Sequence, residues 1–267
     1  MIICGYINLW VVIITVIILL FIFFLIILWR TNLPGDNNFK SVSYNIIKSD
    51  LKNGDILGVS YDSFKGCAVA AFTGSIWTHI GVVIEMIDDV KYDDGLYIIE
   101  MARYSKREKG LILKPLDDWI DWNESYEIAL RKYNGDKSFP YNKMKQVLEN
   151  SKHYTEDMSL ISWLKTCINR RYHRNRKDYF YCSEFIIHMF QTIGIMEKSI
   201  LPSSYKPWQL IYGDIKLYNG YSYDDPVLLK RSNKNIDEST ENITENIDES
   251  TENIDESTEN IDENTEN

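Results

Sequence analysis

Three residues of this chain have the types and settings that thiol chemistry needs. Cys182 stands in Tyr181-Cys182-Ser183-Glu184-Phe185-Ile186-Ile187-His188-Met189-Phe190. Apolar Phe185, Ile186, Met189 and Ile193 share one helical face, so the spacing predicts a helix packed on a core, with Gly194 just past its end. Cys182 then begins that helix, where unpaired backbone N–H groups and the helix dipole favour a thiolate. The same N–H groups suit an acyl oxyanion. A lone cysteine in that place is also compatible with an inert, buried thiol.

His79 lies in Trp77-Thr78-His79-Ile80-Gly81-Val82-Val83-Ile84, at the start of a β-rich run and after the turn-prone Thr73-Gly74-Ser75. A neutral imidazole there would take a proton from a nearby thiol and return it to a leaving group. Glu100, in Ile98-Ile99-Glu100-Met101-Ala102, ends a second apolar strand. If the two strands pair as a hairpin, its carboxylate would orient the imidazole and support the imidazolium. Glu85 is a competing acid, six residues beyond His79 on the same strand. His153, His173 and His188 have no ligand spacing with cysteines or acids, and no Gly-rich phosphate loop is present, so no metal or cofactor is expected.

Other elements must position these groups. Gly54 to Ser60 reads as a first strand entered through a turn, and Phe64 to Phe72 as an Ala-rich helix. His79–Met86 and Leu96–Met101 are predicted strands joined across Asp88-Asp89 and Tyr92-Asp93-Asp94-Gly95. Gly110–Lys114 and Tyr126–Arg131 add two more, with a short helix after Pro115. Tyr141–Asn150 and Met158–Ile168 read as helices. The expected class is α+β: an antiparallel sheet with segregated helices.

The ends differ from this body. Ile7 to Trp29 is almost continuously apolar, interrupted by Asn8 and Thr15, which is long enough for a membrane span of about 20 residues. There is no basic region before it and no small-x-small cleavage site after it, so an uncleaved anchor is expected rather than a signal peptide. Arg30 and Lys40 follow the span, which places the body in the cytoplasm by the positive-inside rule. From Ile236 onward the chain repeats Ile-Asp-Glu-Ser-Thr-Glu-Asn with 13 acids and no base. The whole chain carries −10, so the remainder is mildly basic at +3. One Ile per heptad between like-charged faces cannot offset the entropy of ordering, so this tail reads as disordered, a spacer or a partner-binding segment. The expected organisation is an anchor over 1–30, a linker over 31–48, the catalytic body over 49–232 and the tail over 233–267.

The ordered set of motifs resembles the permuted branch of the NlpC-like papain-fold superfamily, in particular YiiX-like proteins and their poxvirus relatives. The matching residues are Gly54-Asp55-Ile56-Leu57, Thr73-Gly74-Ser75 with Trp77-Thr78-His79-Ile80-Gly81, Glu100-Met101-Ala102, Tyr181-Cys182-Ser183-Glu184-Phe185, and the trailing Pro202-Ser203-Ser204 and Pro207-Trp208-Gln209-Leu210. They cover roughly residues 50 to 212, with His before Cys, the reverse of ordinary papain order. The resemblance implies a circularly permuted papain-like domain with Cys182 as nucleophile, His79 as base and Glu100 as orienting acid. Lecithin-retinol-acyltransferase-like relatives use a second His in the third role; this sequence has no His near Glu100 and departs from them. The poxvirus likeness also suggests a viral protein.

The implied activity is hydrolysis of an amide or ester, with a lipid-linked substrate such as an N-acyl amino acid suggested by the anchor. A cysteine peptidase acting near the membrane, a lipid acyltransferase, and a non-catalytic membrane or virion-envelope interaction protein are the alternatives. The basic stretch Lys165 to Lys177 suits a membrane surface. Its aromatic content is too low for a nucleic-acid stacking platform, so no nucleic-acid partner is expected. Asn123-Glu124-Ser125 and Asn242-Ile243-Thr244 fit the glycosylation pattern and matter only if the body is translocated.

Overall fold

The computed structural model describes residues 10–22, 25, 39–105, 109–156 and 179–230. It is an α+β structure around one seven-stranded sheet. In chain order the elements are β1 (Ser41–Ser43), α1 (Tyr44–Ile47), β2 (Ile56–Val59), α2 (Phe64–Thr73), β3 (His79–Met86), β4 (Gly95–Arg103), β5 (Lys109–Pro115), α3 (Leu116–Trp122), β6 (Ile128–Arg131), α4 (Tyr141–Asn150), β7 (Thr155–Glu156), β8 (Tyr179–Phe180), α5 (Cys182–Ile193), α6 (Pro207–Ile211) and β9 (Val227–Lys230). The sheet order is β1-β9-β6-β2-β3-β4-β5, and β7 pairs with β8 apart from it.

Side-chain alternation explains the layers. Ile80, Val82, Ile84 and Met86 of β3 join Ile56, Ile99 and Met101 in a core with Phe185, Ile186 and Phe190 of α5. Val83 and Ile98 point the other way, into a second core with Leu57, Val59, Leu130 and Leu116, Trp119 and Ile120 of α3. Both faces are therefore covered, which is why β3 reads as an unbroken apolar run rather than an alternating one. The helices are not segregated to one side, contrary to the expectation: α5 and α6 cover one face and α3 the other. At Gly58 the Ile211 side chain of α6 sits where a Cβ would be, 2.5 Å from its Cδ1, so this close approach needs glycine.

The sheet is antiparallel except for the edge pair β1–β9, which is parallel. Ser41–Ser43, expected to belong to a linker, is thus part of the folded body, and Tyr44 is buried in the second core. Residues 10–22, ahead of β1, are also helical, and Trp10, Leu20 and Phe21 expose more than half of their surface. Among the described residues no helix is long and apolar enough to cross a membrane. The rest of the expected span lies outside the described residues, as do the Met158–Ile168 helix, the basic stretch 165–177 and the acidic tail.

Candidate active site

His79 begins β3 and is paired with Val59 of β2. Glu100 lies on β4, opposite Gly81. His79 and Gly81 point to the same face because side chains repeat every second residue, so Glu100 is the diagonal neighbour of His79 on that face. The result is a buried contact of 2.5 Å between His79 Nε2 and Glu100 Oε2. Glu100 has no solvent exposure, and its carboxylate takes two further hydrogen bonds. Trp119 Nε1 donates to Oε2 at 3.1 Å, and the Tyr104 hydroxyl donates to Oε1.

Cys182 is the first residue of α5 and half-buried. The first intrahelical bond runs from Phe185 N–H to the Tyr181 carbonyl at 2.9 Å, so the N–H groups of Cys182, Ser183 and Glu184 have no carbonyl within the helix to reach. Glu184 turns its carboxylate back to the Tyr181 N–H at 3.4 Å, and Ser183 Oγ donates to the Tyr205 carbonyl at 2.9 Å, which fixes the first turn. Cys182 lies close enough to the His79 ring for its sulfur to act on the charge of the imidazole. With Nε2 engaged by Glu100, the remaining ring nitrogen, Nδ1, is the one left for sulfur. Burial of the imidazole opposes a charge on it. The neighbouring sulfur of Cys182 and the carboxylate of Glu100 outweigh that burial and hold the imidazole pKa well above its ordinary value.

His79 is thus in contact with Glu100 and has Cys182 beside it, whereas the competing Glu85 is placed elsewhere. Its strand position faces Leu96, at the far end of β3. His188 stacks on Phe180 at 5.0 Å between ring centroids, and burial lowers its pKa, as suits a neutral packing residue. Cys67 is buried in α2 with its thiol directed at the Asp62 carbonyl, 3.4 Å away. Asn123 of the first glycosylation pattern has no solvent exposure, so it is not available as an acceptor in the folded chain.

Four residues around the site have no sequence feature that ties them to it: Tyr61, Tyr104, Trp119 and Asn123. The Tyr61 ring lies against His79, with centroids 5.6 Å apart, and meets Tyr126 edge-on at 5.0 Å. The Asn123 side chain donates through Nδ2 to the Trp119 carbonyl at 2.8 Å. These contacts depend on the register of β4 and on how α3 lies across the second face, neither of which has a fixed sequence spacing.

No family model matches the chain, and no curated protein does. A crystal structure of the metalloprotein yiiX from Escherichia coli O157:H7 is similar, with a TM-score of 0.42 and 18% identity over 68% of this chain and 97% of that one. Among the described residues no group of three or more His, Cys, Asp or Glu side chains is placed to hold a metal ion.

Proposed function

We propose that this chain is a membrane-anchored thiol hydrolase of the permuted papain-like type that cleaves an amide or ester bond through an acyl-cysteine intermediate. The observation that carries the proposal is the buried His79–Glu100 pair with Cys182 beside the imidazole at the start of α5. In the first step the Cys182 sulfur attacks the substrate carbonyl carbon, and a C–S bond forms as the carbonyl becomes an oxyanion. The N–H groups at the start of α5 face that charge. The His79 imidazolium then gives its proton to the departing amine or alkoxide. In the second step His79 takes a proton from water, hydroxide attacks the thioester, and the sulfur leaves as the imidazolium re-forms. Glu100 keeps the ring oriented and supports its positive charge throughout.

The apolar side chains exposed along residues 10–22 support a membrane setting and, with it, a lipid-linked substrate. The proposal is tested on the full chain in detergent micelles with an acyloxymethyl ketone probe for activated thiols, alongside Cys182→Ala, His79→Ala and Cys67→Ala. Labelling is expected in the wild type and Cys67→Ala and lost in the other two. A folded wild-type protein that takes up no probe would sink the hydrolase reading and favour an interaction protein.

A further inference from the structure

Contacts enclose His79 from two sides. Tyr61 N–H donates to Thr78 Oγ1 at 2.9 Å, next to His79 in the chain, and the Tyr61 ring covers the imidazole. On the other side Asn123 holds the Trp119 carbonyl, and Trp119 Nε1 donates to Glu100, which binds His79. These residues come from four places: the loop after β2, the end of α3, β4 and the start of β3. Asn123 is completely buried, and its Oδ1 has no partner among the described residues. Such a buried, partly satisfied polar group is costly and is retained only where its geometry is needed elsewhere.

We propose that Tyr61 is a positioning residue: through its ring on His79 it holds the imidazole on Glu100 and keeps water from that bond. This rests on the hydrolase reading of the site. The Tyr61 side chain is suited to the task because burial, followed by the nearby Glu100 and Cys182, holds its pKa far above the ordinary tyrosine value, so it remains a neutral phenol at any working pH. Among the described residues, the titratable groups facing the imidazole are Glu100 from β4, Cys182 from α5 and Tyr61 itself. Water admitted beside the ring weakens the attraction of both negative partners, so the imidazole moves back towards its ordinary pKa of about 6.5.

The test is the pH dependence of iodoacetamide alkylation at Cys182 in the full chain in detergent micelles, read by peptide mass. In the wild type the reactivity of the Cys182–His79 pair is expected to change at high pH where the imidazolium loses its proton. Tyr61→Phe keeps the ring wall, so this alkaline step is expected to stay where it is in the wild type; Tyr61→Leu loses the wall, and it falls by about one unit or more. A folded Tyr61→Phe protein whose step falls by about one unit overturns the inference, whether or not Tyr61→Leu folds, since the ring would then not be what holds the imidazole. So does a Tyr61→Leu protein that melts earlier yet keeps the wild-type profile, since Tyr61 would then serve packing alone. If wild-type Cys182 reacts no faster than it does in His79→Ala, the hydrolase reading itself fails and takes this inference with it.

Discussion

Gly81 and Glu100 face each other across β3 and β4, and this pairing delivers the carboxylate to the imidazole two residues earlier on β3. A slip of one residue would turn Glu100 to the opposite face, into the apolar core with Phe185, because side chains alternate strictly along a strand. The register is held on both sides of Glu100, by Ile99 opposite Val82 and, through β5, by Leu113 opposite Ile99. Apolar burial on two faces therefore sets the geometry of the polar pair.

Replacing Glu100 by Gln tests what its charge does. The side chain now accepts from His79 Nε2, Trp119 Nε1 and the Tyr104 hydroxyl. An amide has one acceptor oxygen and a donor group, so at least one of these three faces an N–H it cannot use. Because the imidazole pKa is raised by its negative neighbours, losing one lowers it, and the alkaline limb of the pH–activity profile moves to lower pH. Turnover of an activated ester should fall by roughly 10²–10⁴-fold, as for loss of an orienting acid in a triad. A Glu100→Gln profile with its alkaline limb unmoved would remove Glu100 from the proposed triad.

Trp119→Phe separates the hydrogen bond to Glu100 from the packing of α3. The ring is fully buried in the second core, and phenylalanine fills much of the same space. What is lost is a donor to a buried carboxylate, and hydrogen bonds to charged groups contribute about 1.5–3 kcal/mol. Urea denaturation should show a loss in that range with an unchanged slope. A loss under about 0.5 kcal/mol would mean that water replaces the indole N–H at no cost.

Much of this arrangement was legible in the sequence, and the reason is that local chemistry fixed it. Gly194 closes α5 in the left-handed conformation with φ 85°, and Tyr141–Asn150 is helical to the residue as its periodicity predicts. Strand β3 spans His79–Met86 as expected, since nothing but a buried strand suits that composition. The parts that were not legible depend on distant partners. Ser41–Ser43 has a strand's hydrogen bonds only because Leu228 and its neighbours return from the other end of the chain. Tyr61 and Asn123 look like loop residues until the fold lays one against His79 and the other against Trp119 at the end of α3.

Asp55 gives a stability prediction with a definite sign. Its carboxylate is buried and accepts from Tyr133 N–H at 2.7 Å and Lys52 N–H at 3.0 Å, joining the start of β2 to the chain beyond β6. Burial pushes its pKa up to about 6, against the lowering effect of the two N–H groups. A raised folded-state pKa means that the folded chain binds the proton more tightly than the unfolded one. The stabilisation is complete below the unfolded pKa near 4 and is lost as pH rises through about 6. Over that window the change amounts to about 3 kcal/mol at most. Urea midpoints of wild type and Asp55→Asn, compared at pH 7.5 and pH 4.5, should show wild type gaining on the variant as the solution is acidified. Parallel behaviour of the two would assign the pH dependence to other groups.

Gly81→Ala probes the space beside the His79–Glu100 pair. A Cβ at Gly81 would lie 2.7 Å from both Cγ1 and Cδ1 of Ile98 and 3.2 Å from the Ile99 carbonyl oxygen. Ile98 is fully buried against Leu57 and Trp119, so it has no open space to turn into. The strain can be relieved by crowding that core or by spreading β3 from β4, and the second route draws His79 from Glu100. Overpacking of this kind costs about 1–3 kcal/mol. Cutting the neighbour back to its Cβ removes both clashing carbons, so the double variant Gly81→Ala with Ile98→Ala should be more stable than the sum of the two single losses implies. Thermal melts of all four proteins give the coupling directly, and ester turnover shows which route the chain takes. Recovery of stability with activity still low places the fault in the β3–β4 spacing, and strict additivity in the melts would mean that Ile98 is not what the new methyl group meets.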